Sequence, residues 1–265
     1  MAAFFVAKFQ ALWYKLISRG ETMKRIFIDQ LTDDITFTGE TARHLGYSLR
    51  SRIGDRFEVV DALGSCAEVE LIQFDRESVK ARRVGEIIQL RVERPITLAC
   101  CLPKQNKFDI IVEKATELGV SRLVPLISDR TITRPSEVRE HSKRERWARI
   151  IREAAEQSGR NTLPFLDRIK DLSEWLEEVK PTLANENSVF LFCNERERET
   201  YIKSVVRDIR REVIILIGPE GSFSDREVRM IKDAGAISVS LGSQILKVDT
   251  AALSTLAIIR YELNG

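Results

Sequence analysis

Histidine is close to absent from this chain: His44 and His141 are the only two among 265 residues. A Ser-His-Asp or Cys-His triad would have to use one of them, and neither lies beside a nucleophile elbow or a cysteine placed for catalysis. Cysteine is scarce as well. Cys66, Cys100, Cys101 and Cys193 form no CxxC pair, and three of them sit in apolar, strand-like runs. That pattern points to buried reduced thiols in a cytoplasmic protein and to neither a metal nor disulfides. No HExxH, GxxxxGK(S/T) or GxGxxG pattern occurs either, so triad hydrolase, zincin and P-loop ATPase are poor starting points.

Long apolar runs are also missing. The most apolar stretch, MAAFFVAKFQALWYKLISRG, is broken by Lys8 and Lys15, well short of the ~18 uncharged residues that a membrane span needs. Its basic, nearly acid-free composition would suit a transit peptide or a weak signal peptide. KRIFI, directly after Met23, reads as the first strand, so residues 1–22 are expected to be an extension outside the core. Charge of one sign is lacking in the same way: 42 Lys and Arg face 40 Asp and Glu, a net +2. That balance neither demands nor excludes a nucleic-acid partner, because local clustering decides binding more than the sum.

What is present is a composition 43% hydrophobic, enough to bury one sizeable core and a smaller one. Residues 23–91 read as a small β domain. RFEVVDALG, CAEVELIQF and SVKARRVGEII cluster β-branched residues around turn signals at Gly54-Asp55, Leu63-Gly64 and Arg76-Glu77, and one short helix is expected near Glu40. Strands this short suggest a compact barrel. The texture changes at Pro95. ITLACCLP, RLVPLIS, SVFLFCN, EVIILIG and AISVSLG read as strands. FDIIVEKATELG, RERWARIIREAAEQSG, a charged segment at 195–209, SDREVRMIKDAG and the stretch from Asp249 read as helices between or after them. Such alternation predicts an α/β layer with a mainly parallel sheet over residues 92–265.

Two loops could carry chemistry. In EVIILIGPEGSFSDREV a buried strand runs into Gly218-Pro219-Glu220-Gly221, and Ser224 with Glu227 forms a capping box. Glycines at the carboxyl end of a parallel strand let a ligand approach the backbone, although an ordinary, well-capped turn would read the same. In AISVSLGSQILKVDTAALSTLAIIR a strand reaches Leu241-Gly242, and a helix rich in small residues opens near Asp249. Leu241, Ile245 and Leu246 could wall an apolar slot or simply belong to the core, and Asp249 could be no more than a helix cap.

These paired loops resemble the SPOUT methyltransferase superfamily. More narrowly they resemble the bacterial family that methylates N3 of a uridine in 16S ribosomal RNA. LPKQNKFDIIVEKATELGVSRLVPLISDRT and RWARIIREAAEQSGRNTLPFL are similar to that family's middle region, and HLGYSLRSRIGDRFEVVDALG to its N-terminal domain, so the likeness runs from about Met23 to the end. It implies a PUA-like RNA-binding β-barrel over 23–91, then a SPOUT domain with a deep trefoil knot over 92–265. It also implies a homodimer, and a partner in the 30S subunit. S-adenosylmethionine would lie among Gly218, Pro219, Glu220, Gly221, Leu241, Gly242, Ile245 and Leu246. Two departures stand out. The usual GPEGG has Ser222 in its last place, and the usual LRxETA reads Leu246-Lys247-Val248-Asp249-Thr250-Ala251.

Uracil N3 holds its proton at neutral pH, so methylation needs a cation near O2 or O4 and a proton acceptor. Lys247, Arg130 and Arg160 are the candidate cations by family position and chemistry; Asp249, Glu153 and Glu117 are the candidate acceptors. Residues 122–160 hold ten basic and six acidic residues, +4 against +2 for the whole chain. Arg146, Glu153 and Gln157 on one helix, with Arg43, Arg50 and Arg52 in the first domain, are the candidate RNA contacts, where a merely solvated charged face is the plainer alternative. A related enzyme with another RNA target, or a catalytically silent RNA-binding or ribosome-assembly protein, fits the same motifs.

Overall fold

The structure is a computed structural model that describes residues 25–48, 51–90, 93–184, 188–206 and 212–264. The expected extension at 1–22, and Arg50, lie outside the described residues. The chain divides into two compact units, Met1–Val92 and Glu93–Gly265.

The first unit holds β1 (Arg25–Phe27), β2 (Asp34–Thr38), α1 (Gly39–Arg43), which continues into a π-helical turn at His44–Ser48, β3 (Arg56–Val60), β4 (Ser65–Phe74), β5 (Ser78–Arg83) and β6 (Ile88–Gln89). The sheet order is β1-β3-β4-β5-β2 with β6 on β4, antiparallel except for the β1–β3 pair. β2 alternates as the period of a strand requires, with Ile35 and Phe37 inward and Asp34, Thr36 and Thr38 outward. The β3–β4 turn is set by Asp61, whose Oδ1 accepts from the amides of Leu63 at 2.9 Å and Ser65 at 2.8 Å.

The second unit holds β7 (Ile96–Cys101), α2 (Lys107–Glu117), β8 (Arg122–Ile127), α3 (Glu137–Gln157), β9 (Phe165–Leu166), β10 (Lys170–Asp171) and α4 (Leu172–Ala184). These are followed by β11 (Ser188–Cys193), α5 (Ile202–Val206), β12 (Glu212–Ile217), α6 (Asp225–Asp233), β13 (Ile237–Val239) and α7 (Val248–Asn264). Every pairing in its sheet is parallel, in the order β10-β8-β7-β12-β11-β13, with β9 on β8. This bears out the α/β reading.

All six residues of β7 are buried, as expected for a central strand covered on both faces. Ile96, Leu98 and Cys100 join the core with Phe108, Ile111, Trp147 and Leu256, whereas Ala99 and Cys101 join the opposite core with Trp175, Phe190 and Phe223. Two elements depart from the sequence expectation. Residues 195–201 are a loop, because Asn194 and Glu197 bind the following amides and compete with helical hydrogen bonds; Ile202–Val206 is helical, and 207–209 lie outside the described residues. The unanticipated α4 carries Pro181 inside it, which obscured its apolar face of Leu172, Trp175, Leu176 and Val179.

Trp147 ties α3 to α2: its side chain is 1% exposed, packs on Phe108 at 4.6 Å and donates Nε1–H to Asp109 Oδ1 at 2.9 Å. Trp147→Ala should therefore destabilise the second unit by about 3–5 kcal/mol and lower its Tm by roughly 10 °C. Thermal unfolding checks this, and an unchanged Tm would show that α3 is anchored elsewhere.

Candidate active site

A parallel sheet delivers all its carboxyl ends to one edge, and in such sheets ligands bind beyond that edge. Here β7 releases Leu102–Lys104, β8 the segment 128–136, β11 the segment 194–201, β12 the segment 218–224 and β13 the segment 240–247.

The segment after β12 is held by its neighbours. Glu220 Oε1 accepts the Lys104 amide at 2.9 Å, and the Gly221 carbonyl accepts from Arg130 Nη1 at 2.8 Å. Ser222 closes a turn onto the Pro219 carbonyl at 2.9 Å and donates its hydroxyl to the Glu195 carboxylate. Its φ of +59° lies in the left-handed region, where glycine is the ordinary occupant. Gly218 has no room for a side chain, since an added Cβ would sit 3.0 Å from the Phe223 ring. Ser224 then caps α6: its Oγ accepts the Glu227 amide at 3.2 Å, and Glu227 Oε2 accepts the Ser224 amide at 2.7 Å. The Ser224 hydroxyl also donates to Asp129 at 2.8 Å, and Arg226 pairs with Asp129 at 2.7 Å. These two contacts, the hydroxyl foremost, hold the Asp129 carboxyl below its usual range.

The segment after β13 is more open. Gly242 has φ +129°, and nothing lies nearer to a Cβ built on it than Gln244 Oε1 at 3.9 Å. Leu241 and Leu246 pack half-buried against the core, Ile245 is 83% exposed, and Lys247 is exposed. Asp249 sits in the first turn of α7 with Oδ1 buried and without a hydrogen-bond partner.

Both segments leave the carboxyl edge of the sheet, from the two strands that flank β11. Burial foremost, then Cys101, Glu220 and Asp249, push the Cys100 thiol well above its ordinary value. Gly218–Gly221, Leu241–Leu246, Lys247, Asp249 and Arg130 thus share the carboxyl edge.

Arg160 is placed elsewhere. It follows α3 and donates to the carbonyls of Thr116 at 2.9 Å and Thr162 at 3.1 Å, beside the amino ends of the strands; burial brings its pKa down to about 10. Arg146 pairs with Asp109 at the start of α2, while Glu153 and Gln157 are exposed on α3. Arg43 and Arg52 are exposed in the first unit. Of the candidate proton acceptors, Glu117 is bound to Lys114 at the far end of α2, Glu153 is on α3, and Asp249 directly follows the 240–247 segment. Sequence reasoning passed over Lys104, Asp129 and Glu195, whose contacts span 116, 95 and 27 residues of chain and leave no local signal. Among the described residues, no helix is long and apolar enough to cross a membrane.

A family model for an RNA methyltransferase domain matches residues 91–260. The chain belongs to this family. The Ribosomal RNA small subunit methyltransferase E of Synechocystis is 32% identical over 87% of this chain and 74% of its own length. The Bacillus subtilis protein of the same name is 29% identical over 91% and 97%. Among solved structures, the Neisseria gonorrhoeae Ribosomal RNA small subunit methyltransferase E bound to S-adenosyl methionine superposes with a TM-score of 0.79. It is 26% identical, over 91% of this chain and 98% of that one. The family resemblance drawn from the paired loops is borne out.

The loop at 194–200 frames the edge and yields a test. The Glu197 carboxylate accepts the amides of Glu199 and Thr200 and a contact from Ser238, the Glu199 amide foremost, which brings its pKa from the ordinary 4.5 to about 2. A depressed carboxyl stabilises the fold above its ordinary value, and that contribution is lost as pH falls towards about 2. An NMR titration of the Glu197 carboxyl should show a midpoint near 2; one at the ordinary value would mean that Glu197 does not close this loop.

Proposed function

We propose that the chain is an S-adenosylmethionine-dependent methyltransferase acting on N3 of a uridine in 16S ribosomal RNA of the small subunit. The observation that carries this is that the two segments resembling the family's cofactor loops both leave the carboxyl edge of one parallel sheet, in a chain whose relatives are named Ribosomal RNA small subunit methyltransferase E. The residues suit the cofactor. Gly242 leaves open space beside the backbone, Leu241 and Leu246 offer apolar walls, and Asp249 holds a buried oxygen that lacks a donor.

Bound there, S-adenosylmethionine supplies a methyl group on a sulfonium. Gly218–Gly221 and Leu241–Leu246 would hold and orient it, and their apolar lining would keep water from the reacting atoms. Lys247, exposed two residues before Asp249, would face the uracil oxygens and stabilise negative charge as N3 loses its proton. Arg130, fixed on Gly221, is a second cation at the same edge, and Asp249 the proton acceptor. Arg160 serves the fold.

The first unit would be the PUA-like RNA-binding barrel, with the exposed Arg43 and Arg52 on the RNA side together with Arg50, and with Glu153 and Gln157 adding contacts from α3, where Asp109 already pairs Arg146. A trefoil knot in the second unit is supported by the family resemblance. Its sheet order fits, since β12 inserts between β7 and β11 after both have already been laid down. A homodimer through α7 is supported by the exposed apolar residues Ala257, Ile258 and Tyr261 along one side of that helix.

Calorimetry and single-turnover methylation of 30S subunits test the reading. The wild type should bind S-adenosylmethionine, and Gly242→Val should abolish that binding with the fold intact. Lys247→Met should lower turnover ~10²-fold, the scale for one transition-state donor, while Lys247→Arg keeps activity. A wild type that binds no cofactor would overturn the proposal in favour of a silent RNA-binding protein. In light scattering the protein should run at twice the monomer mass, and Tyr261→Arg should shift it towards monomer; a monomeric wild type would refute the dimer.

A further inference from the structure

We propose that Glu227 is a positioning residue which, through the backbone of Asp129, holds Arg130 against the Gly221 carbonyl at the candidate site. The inference rests on the function proposed above, in which Arg130 faces the uracil.

Glu227 is 3% exposed, and both of its carboxylate oxygens are used. Oε2 accepts the Ser224 amide at 2.7 Å, which completes the capping box. Oε1 accepts the Asp129 amide, also at 2.7 Å, from a segment 98 residues away. The cap needs only the first bond. The second joins the loop after β8 to the loop after β12, and charge-assisted bonds of this kind are short and strong.

Asp129 is held a second time through its side chain, by the Ser224 hydroxyl and by Arg226. With residue 129 fixed at backbone and side chain, the next residue leaves in a set direction. Arg130 is exposed, yet its Nη1 rests on the Gly221 carbonyl at 2.8 Å. Gly221 and Arg130 lie close enough that a Cβ on the glycine would touch the Arg130 Cβ at 3.4 Å, an ordinary contact distance. An exposed arginine otherwise loses considerable rotamer entropy when it is held in one place, so a preset backbone lowers what must be ordered when substrate arrives.

A plain helix cap predicts that losses from Glu227 and Arg130 are independent; the positioning role predicts that they are not. Glu227→Gln keeps one accepting oxygen and turns an NH2 donor towards the other amide. Single-turnover methylation of 30S subunits should fall about tenfold or more in Glu227→Gln and in Arg130→Met, and the double variant should be little slower than the slower single one. Cofactor affinity should stay within about threefold of wild type in all three, since the loops keep their other ties. Losses that multiply in the double variant, or a wild-type rate in Glu227→Gln, would overturn the proposal. Hydrogen exchange on the wild-type protein gives a reading that needs no variant. The Asp129 amide should be protected like the Ser224 amide, and exchange at the rate of an open loop would sink the idea. If the wild type neither binds S-adenosylmethionine nor methylates, the function proposed above falls, while the Asp129 amide still decides whether Glu227 clamps the loop.

Discussion

A carboxylate removed from water is costly unless its lone pairs are filled, and Glu227 fills them with backbone N–H groups from two different loops. The candidate site depends on that arrangement. Losing either donor would strand a buried charge, so the loops after β8 and β12 are obliged to stay together. Neither amide belongs to a strand ladder. Both are loose ends that a parallel sheet creates at its carboxyl edge, and Glu227 satisfies them from the first turn of α6, where negative charge is favoured.

The same economy recurs around the edge. Glu220 takes the Lys104 amide from the loop after β7, Ser222 reaches Glu195 in the loop after β11, and Glu197 takes the amides of its own loop. Irregular backbone is thus stitched by side chains from neighbouring irregular backbone. The 240–247 segment has fewer such ties, with Ser240 Oγ on Gly242 at 3.3 Å as its local contact. That contrast suits a binding site: a tied segment at 218–224 and, at the same edge of the sheet, one whose Gly242 backbone stays accessible.

Much of this was legible in the sequence, and the rest was hidden for physical reasons. The strand β7 and the helix α2 follow from short-range patterning, as does the capping box at Ser224, where the partner is only three residues away. The two glycine-bearing loops were visible because their spacing repeats a family pattern. The roles of Asp129 and Glu195 were not, since their partners lie far along the chain and any surface carboxylate reads alike. The charged segment at 195–201 misled because propensity favours a helix there, while the Glu197 side chain outcompetes it locally. Arg160 was read from its place in the sequence, and its long-range hydrogen bond to the Thr116 carbonyl at the end of α2 left no local signal.

The surplus charge of residues 122–160 carries the same lesson over to the RNA side. Arg122 is paired with Asp167, Arg146 with Asp109 and Arg152 with Glu156, so these guanidiniums offer a phosphate little uncompensated charge. Arg130 and Arg134 bind carbonyls instead, of Gly221 and Ser128, and so keep their full charge in a fixed direction at the carboxyl edge. Along α3, Arg139, Arg144 and Arg149 are exposed, and no ion pair among the described residues is formed by them. The charge available to a polyanion is therefore of two kinds: a pair of preset cations beside the candidate site, and a free set along one helix. Preset cations suit a single phosphate or base oxygen at a defined distance, because little order remains to be imposed on them. Free cations suit the sequence-independent backbone term, which weakens steeply with salt. On the function proposed above, selectivity for the target nucleotide would thus belong at the loop edge, and general affinity for the RNA along α3.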